Sequence, residues 1–292
     1  MIDYSGKLYR PPSEADSLIL QATLGCSYNE CSFCGMYRDK DFRVRPLEEL
    51  QEEIDWARVR LPEVRKVFLA DGDALVAKTS FLEELLDRLN LAFPRLRRIS
   101  VYASPQSLQV RSVEEMRRLR EKGLSLYYLG IESGDDQVLA ALQKGVDAEE
   151  MVRVARKAVD AGVKLSVMIL LGAGGRERSR EHARGSARVV NAVQPRFVST
   201  LVMTPVPDTP LWEQHLAGAF DELDPLELAC ELREFLGALE LEGAVFRSNH
   251  ASNYLALSGT LPKDKPALVA ALDRVIQDPA TAGFRPEWMR GL

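Results

Sequence analysis

The sequence predicts an α/β protein on a parallel sheet, open or curled into a barrel. Six runs of mostly apolar, often β-branched residues recur at 18–23, 66–70, 98–103, 125–131, 163–171 and 196–202. Near-continuous apolarity of this kind marks strands covered on both faces. Amphipathic helical patterns fill the gaps, and strand–helix units in series build parallel sheets.

Composition narrows the class. Of 292 residues, 46% are apolar and 28% charged, which excludes a disordered tail, a collagen and a coiled-coil rod. Lysine and arginine number 38 against 43 acids, a net charge of −5. A mildly acidic chain is a poor match for nucleic acid or an acidic membrane, so neither is expected as a partner. The longest apolar stretch, 165–175, falls well short of the roughly 20 residues of a membrane span. Residues 1–7 carry no apolar signal region, and the expected location is cytoplasmic.

Taken in order, the elements have recognisable ends. Pro46 opens a helix with Leu47, Leu50, Ile54 and Ala57 on one face. Ser80 with Glu83, and Ser112 with Glu115, have capping-box spacing, and Gly123 and Gly162 fall where C-caps belong. Asp147 is placed to cap the helix of Met151, Val154, Ala158 and Val159. After Val202 the rhythm changes to a Pro-rich loop, 204–210, then a helix from Asp224-Pro225. A short strand at 244–248, a polar run and a last helix at 263–277 follow. The expected organisation is a core over 1–204 with an appendage, 205–292, packed on it.

Three of the four cysteines, Cys26, Cys31 and Cys34, directly follow the first strand. In parallel α/β folds, sites form at the carboxyl ends of strands. A disulfide scaffold calls for more cysteines in a shorter chain. Thiolates suit zinc or iron–sulfur. Structural zinc takes four protein ligands, and the nearest histidine in sequence is His182, so zinc would borrow Cys230 or a carboxylate. A [4Fe–4S] cluster on three thiolates leaves one iron open to a substrate or cofactor. A buried cysteine cluster without metal is the third possibility.

With three later segments, these cysteines make residues 18–210 resemble the radical S-adenosylmethionine (SAM) superfamily. The family's usual first cysteine gap is three residues; here it is four, while Phe33 keeps the aromatic place before the last cysteine. The resemblance implies a partial (β/α)6 barrel with a C-terminal α/β appendage. It implies a [4Fe–4S] cluster on Cys26, Cys31 and Cys34, with SAM at the open iron. The segment 68–74 matches the turn that binds the SAM amino group, making Gly72 and Asp73 candidates; the alternative is an ordinary Asp-Gly turn. Segment 130–139 looks like strand four of the branch containing anaerobic coproporphyrinogen oxidases, methylthiotransferases and the Elongator catalytic subunit. There Glu132 matches a polar side chain near the SAM ribose and methionine, with Ser133 beside it. Lys144 falls where the oxidases hold the SAM carboxylate with arginine; otherwise it is a solvated lysine at a helix end. Phe33 and Ser104 complete the SAM-binding set, with Met168 and Leu171 on strand five beside the adenine. The oxidases' polar groups at the positions of Tyr102 and Met168 are missing.

The resemblance implies an enzyme in which a reduced cluster cleaves SAM and a 5′-deoxyadenosyl radical takes hydrogen from a small-molecule substrate. It also implies oxygen sensitivity and an electron donor such as flavodoxin or ferredoxin. Only Cys230 remains beyond the triad, expected as a small core residue, so a second thiolate-bound cluster cannot be built. No upstream segment for a cobalamin is expected either. Oxidation, rearrangement, carbon–carbon cleavage and SAM-only methylation are left. The rivals are a non-catalytic iron–sulfur or zinc protein on the same barrel, and a coproporphyrinogen oxidase-like enzyme. Arg176, Arg178, Arg180 and Arg184 are either a solvated face paired with Glu177 and Glu181 or an anion site. The run 248–254 is either a turn or, if extended, a set that aims His250 and Tyr254 at substrate as catalytic groups.

Overall fold

A computed structural model describes residues 2–291. By contacts the chain divides into two compact units. The first comprises residues up to 29, 36–129 and 154–165; the second comprises 30–35, 130–153 and 166 onward.

In the first unit, strand β1 (Leu18–Gln21) pairs in parallel with β2 (Lys66–Ala70), and β2 with β3 (Arg98–Ala103). Strand β3 pairs in parallel with β4 (Leu124–Glu132), Tyr102 opposite Tyr128. Helices α1 (Leu47–Arg60), α2 (Thr79–Ala92), α3 (Pro105–Gln109) and α4 (Val113–Glu121) belong to this unit. Leu50, Ile54 and Ala57 of α1 and Leu82, Leu85, Leu86 and Leu89 of α2 are wholly buried, as are Val67 and Leu69 of β2. Each such leucine removed from water contributes roughly 2 kcal/mol. On the other face of the strands, Phe68, Tyr102 and Tyr128 stack edge to face.

In the second unit, β5 (Lys164–Leu171) pairs in parallel with β6 (Phe197–Val202), and β6 with β7 (Ala244–Ser248). Strand β8 (Leu257–Leu261) runs antiparallel to β7. Helices α5 (Asp136–Ala141), α6 (Ala148–Asp160), α7 (Gly175–Val193), α8 (Pro210–Leu216), α9 (Pro225–Ala238) and α10 (Lys265–Gln277) complete the elements. Strand β4, helix α6 and strand β5 each run from one unit into the other.

Strands form at all six anticipated places, the first followed by a short antiparallel pair, Thr23–Leu24 with Arg43–Val44, and the others by helix, so the mixed α/β class with a parallel sheet holds. The Ser112–Glu115 box closes on both sides, Asp147 accepts from the Glu150 N–H, and Gly123 and Gly162 take positive φ. Other expectations need correction. Helix α2 starts at Thr79, so Ser80 lies inside its first turn and caps nothing; the Thr79 hydroxyl is held between Arg111 and Glu115. Cys230 is exposed on α9 rather than in the core. The arginines of α7 pair across elements, Arg176 with Asp221 and Glu227, Arg178 with Asp135, Arg184 with Glu234, not with Glu177 or Glu181. Strand β8 had no counterpart in the sequence reading. No helix among the described residues is long and apolar enough to cross a membrane.

Candidate functional site

The first unit gathers Cys26, Gly72, Asp73 and Ser104. The Gly72 N–H donates to the Gly25 carbonyl, 3.0 Å away, laying the turn after β2 along the start of the cysteine loop. A Cβ on Gly72 would lie 2.9 Å from the Cys26 Cβ and 2.6 Å from the Tyr37 ring, so only glycine fits. The Asp73 side chain is fully buried and accepts from the hydroxyls of Ser27 (2.6 Å) and Ser104 (2.7 Å) and the Ser104 N–H (3.2 Å). Burial pushes its carboxyl above the ordinary range, against the pull of those hydroxyls. Ser104 is also the N-cap of α3, accepting from the Ser107 N–H. On the other side of Gly72, buried Asp71 bonds Lys40 (2.9 Å), Gln21 (3.0 Å) and the Gly25 N–H (3.1 Å).

The second unit holds Cys31, Phe33 and Cys34 with Glu132, Ser133, Lys144, Met168 and Leu171. Buried Ser32 anchors the cysteine loop: its N–H donates to Leu142 O, its hydroxyl to Ala141 O, and its carbonyl accepts from the Leu211 N–H. Phe33 packs against Val138, Leu142, Leu170, Met203 and Leu211. Glu132 ends β4 with φ +65°, a strained value for a non-glycine residue. Its carboxylate folds back over Gly130, where a Cβ would sit 1.8 Å from Oε1, and meets Lys144 Nζ at 2.9 Å. Both side chains are 9% exposed, so Lys144 is not a solvated helix-end lysine. Burial works against its ammonium, but Glu132 and the thiolates of Cys31 and Cys34 outweigh it and hold the pKa above the ordinary lysine value. Leu171 is buried and Met168 half-buried.

The run 248–254 is a turn, not an extended strand: the Asn253 N–H donates to His250 O at 3.1 Å. The Ser252 N–H and hydroxyl both lie within hydrogen-bond distance of His250 Nδ1, so these side chains cap backbone, as asparagine and serine commonly do. Burial, with Arg285 nearby, lowers the His250 pKa. Tyr254 accepts from Arg290 Nη1 at 2.6 Å and donates to Glu287, and burial pushes it up to about 12. It lines a shallow cleft with Gly172, Met203, Phe220 and Arg290.

Sequence reasoning missed Ser32, Asp71, Lys40, His182 and Glu231. Ser32 had a visible cue, a small polar residue between two candidate ligands; the rest are defined by distant partners.

Comparisons with known proteins bear on family and fold. The model of the radical SAM superfamily matches residues 20–184. A tRNA-2-methylthio-N(6)-dimethylallyladenosine synthase of Nitrosomonas europaea is 25% identical over 213 residues, 68% of this chain and 46% of that protein. Methylornithine synthase superposes with a TM-score of 0.54 at 20% identity, over 77% of this chain and 63% of its own. Coproporphyrinogen III oxidase of Escherichia coli gives 0.55 at 16%, over 76% and 52%. These likenesses show a shared fold, and the chain spans about half the length of the curated relatives it matches. With more than half of its length matched, the chain belongs to the radical SAM superfamily, whose cofactors are a [4Fe–4S] cluster and SAM.

Proposed function

We propose that this chain binds a [4Fe–4S] cluster through Cys26, Cys31 and Cys34 and uses it to cleave SAM reductively. The family match over the cysteine loop and the turns that follow carries the reading. The residues fit the group: three half-buried thiols are a soft donor set, and Gly72, pressed on Cys26, leaves no room for a side chain where a ligand's amino group would meet backbone. When bound, the cluster and SAM supply a 5′-deoxyadenosyl radical that takes a hydrogen atom from substrate.

The chain's own residues hold and orient. Glu132 and Lys144 form a buried pair of opposite charges, suited to the hydroxyls and carboxylate of one zwitterionic ligand. Asp73 fixes Ser27 and Ser104, and so the turns bearing them. Leu171, Met168 and Phe33 supply apolar contact for a base and keep water away. The exposed Cys230 is the one further cysteine of the chain, so the chemistry read here is hydrogen abstraction from a small molecule rather than sulfur insertion at a second cluster. Tyr254, which lines the cleft with Gly172 and Met203, is the proton or hydrogen donor on the substrate side, whereas His250 caps its own turn. The setting is cytoplasmic and oxygen-free, with a flavodoxin or ferredoxin as reductant.

Anaerobic reconstitution followed by SAM and dithionite tests the proposal. The protein should hold about four iron per chain and form 5′-deoxyadenosine. Cys26→Ala, Cys31→Ala and Cys34→Ala should each abolish both, and Cys230→Ala neither. An iron-loaded protein that leaves SAM intact would favour the non-catalytic rival, and zinc in place of iron would end the reading.

A further inference from the structure

We infer that His182 and Glu231 are positioning residues that hold two SAM-facing turns at a fixed spacing; the inference rests on the proposed SAM site. One turn follows β4 and carries Glu132 and Ser133. The other follows β5, where Leu171 gives way to Gly172. A buried polar chain through α7 and α9 joins them.

The chain can be followed atom by atom. The Ser133 hydroxyl accepts from the Asp135 N–H at 3.1 Å and lies 2.8 Å from His182 Nδ1. The Ser133–His182 bond holds the imidazole in place with either nitrogen carrying the proton. His182 Nε2 is buried and makes no hydrogen bond among the described residues. It faces Glu231 Oε1 at 3.7 Å, too far for a hydrogen bond. That same Oε1 accepts from the Gly172 N–H at 2.6 Å, and Oε2 accepts from the Ser179 hydroxyl at 2.5 Å. Glu231 thus takes the protons of Gly172 and Ser179, with the edge of the His182 ring packed beside it.

Helix α7 meets the first turn with no slack. A Cβ on Gly134 would lie 2.2 Å from the Gly185 carbonyl oxygen, and one on Gly185 would lie 2.5 Å from the Gly134 oxygen. The Ser186 hydroxyl accepts from the Gly134 N–H at 3.0 Å. A buried carboxylate beside a buried imidazole is a poor way to add stability, since apolar residues of similar volume usually do as well or better. What the arrangement does fix is direction and distance, from Ser133 to the backbone N–H of Gly172.

The test uses the reconstituted holoenzyme, with iron content, SAM affinity by anaerobic equilibrium dialysis, and 5′-deoxyadenosine formation against SAM concentration. Glu231→Gln, which weakens the charge-assisted bonds from Gly172 and Ser179, and His182→Phe, which removes the bond to Ser133, should keep their iron and raise the KM for SAM about tenfold. The kcat at saturating SAM should stay within about threefold. His182→Gln, which keeps a polar partner for Ser133, should recover part of the affinity. If wild-type protein holds no iron or makes no 5′-deoxyadenosine, the proposed function fails and this inference with it. If wild type does both while the variants retain their KM, the positioning role alone is overturned. A variant series in which kcat and KM fall in step with thermal stability would also overturn it. Should His182→Phe fail to fold, Glu231→Gln and His182→Gln decide on the same readouts.

Discussion

Two buried lysine–carboxylate pairs stand at the carboxyl ends of strands, and they are built differently. After β2, Asp71 accepts three hydrogen bonds: Oδ1 takes Gln21, and Oδ2 takes Lys40 and the Gly25 N–H. At the end of β4, Glu132 meets Lys144 through one oxygen, on a strained backbone, with its carboxylate lodged where Gly130 has no side chain. The first pair uses its hydrogen-bonding capacity on the fold. The second, bonded through one carboxylate oxygen on a strained backbone, is the pair proposed above to meet the ligand, and the contrast is that of a site with a rivet.

The largest effect should come from Asp71→Asn. An amide in place of this carboxylate leaves Lys40, 8% exposed, without its counter-charge and sets two N–H groups against each other. Denaturant unfolding should show a loss of about 3–5 kcal/mol. Glu132→Gln should behave oppositely, folding nearly as well as wild type while SAM cleavage falls about 10- to 100-fold. If Glu132→Gln unfolds as readily as Asp71→Asn, the distinction between rivet and site disappears. Gly130→Ala sharpens it: the new methyl must displace Glu132 Oε1, so about a tenfold loss of SAM cleavage is expected with the cluster still loaded. The smallest effect concerns an acid of known purpose, the cap residue Glu115. Its hydrogen bonds with Ser112 and Thr79 hold its pKa at about 2, against 4.5 unperturbed. A lowered folded-state pKa gives stability that is present above 4.5 and lost as pH falls toward 2. Glu115→Gln should therefore cost about 1 kcal/mol at neutral pH, a difference that fades over that acid window in thermal melts.

The same contrast explains what the sequence disclosed. Strands such as 66–70 and 164–171 were legible because burial on both faces writes a nearly continuous apolar run. Strand β8, Leu-Ser-Gly-Thr-Leu, alternates with solvent and carries a glycine, so nothing in it outweighs a loop reading. The cysteine triad, Gly72 and the Glu132 segment could be proposed from the sequence because they are close together or in a known register. The partners that make them work lie far off: Lys40 is 31 residues from Asp71, and Glu231 is 59 from Gly172. Ser80 misled for a related reason: Thr79 is engaged by Arg111 and Glu115, and the helix starts there, two residues before the start that a Ser80 cap would give.

The contact between Gly134 and Gly185 has no side chain on either face. A joint made of side chains can be loosened or tightened by degrees, one methyl group at a time. This one admits two states only, seated or broken, because any added carbon falls inside the neighbour's main chain. Nor can a change at one position be compensated at the other, which is already the smallest residue there is. Mutational paths through this spot are blocked from both sides, and the spacing that α7 imposes on the Ser133 turn lies beyond the reach of gradual sequence drift.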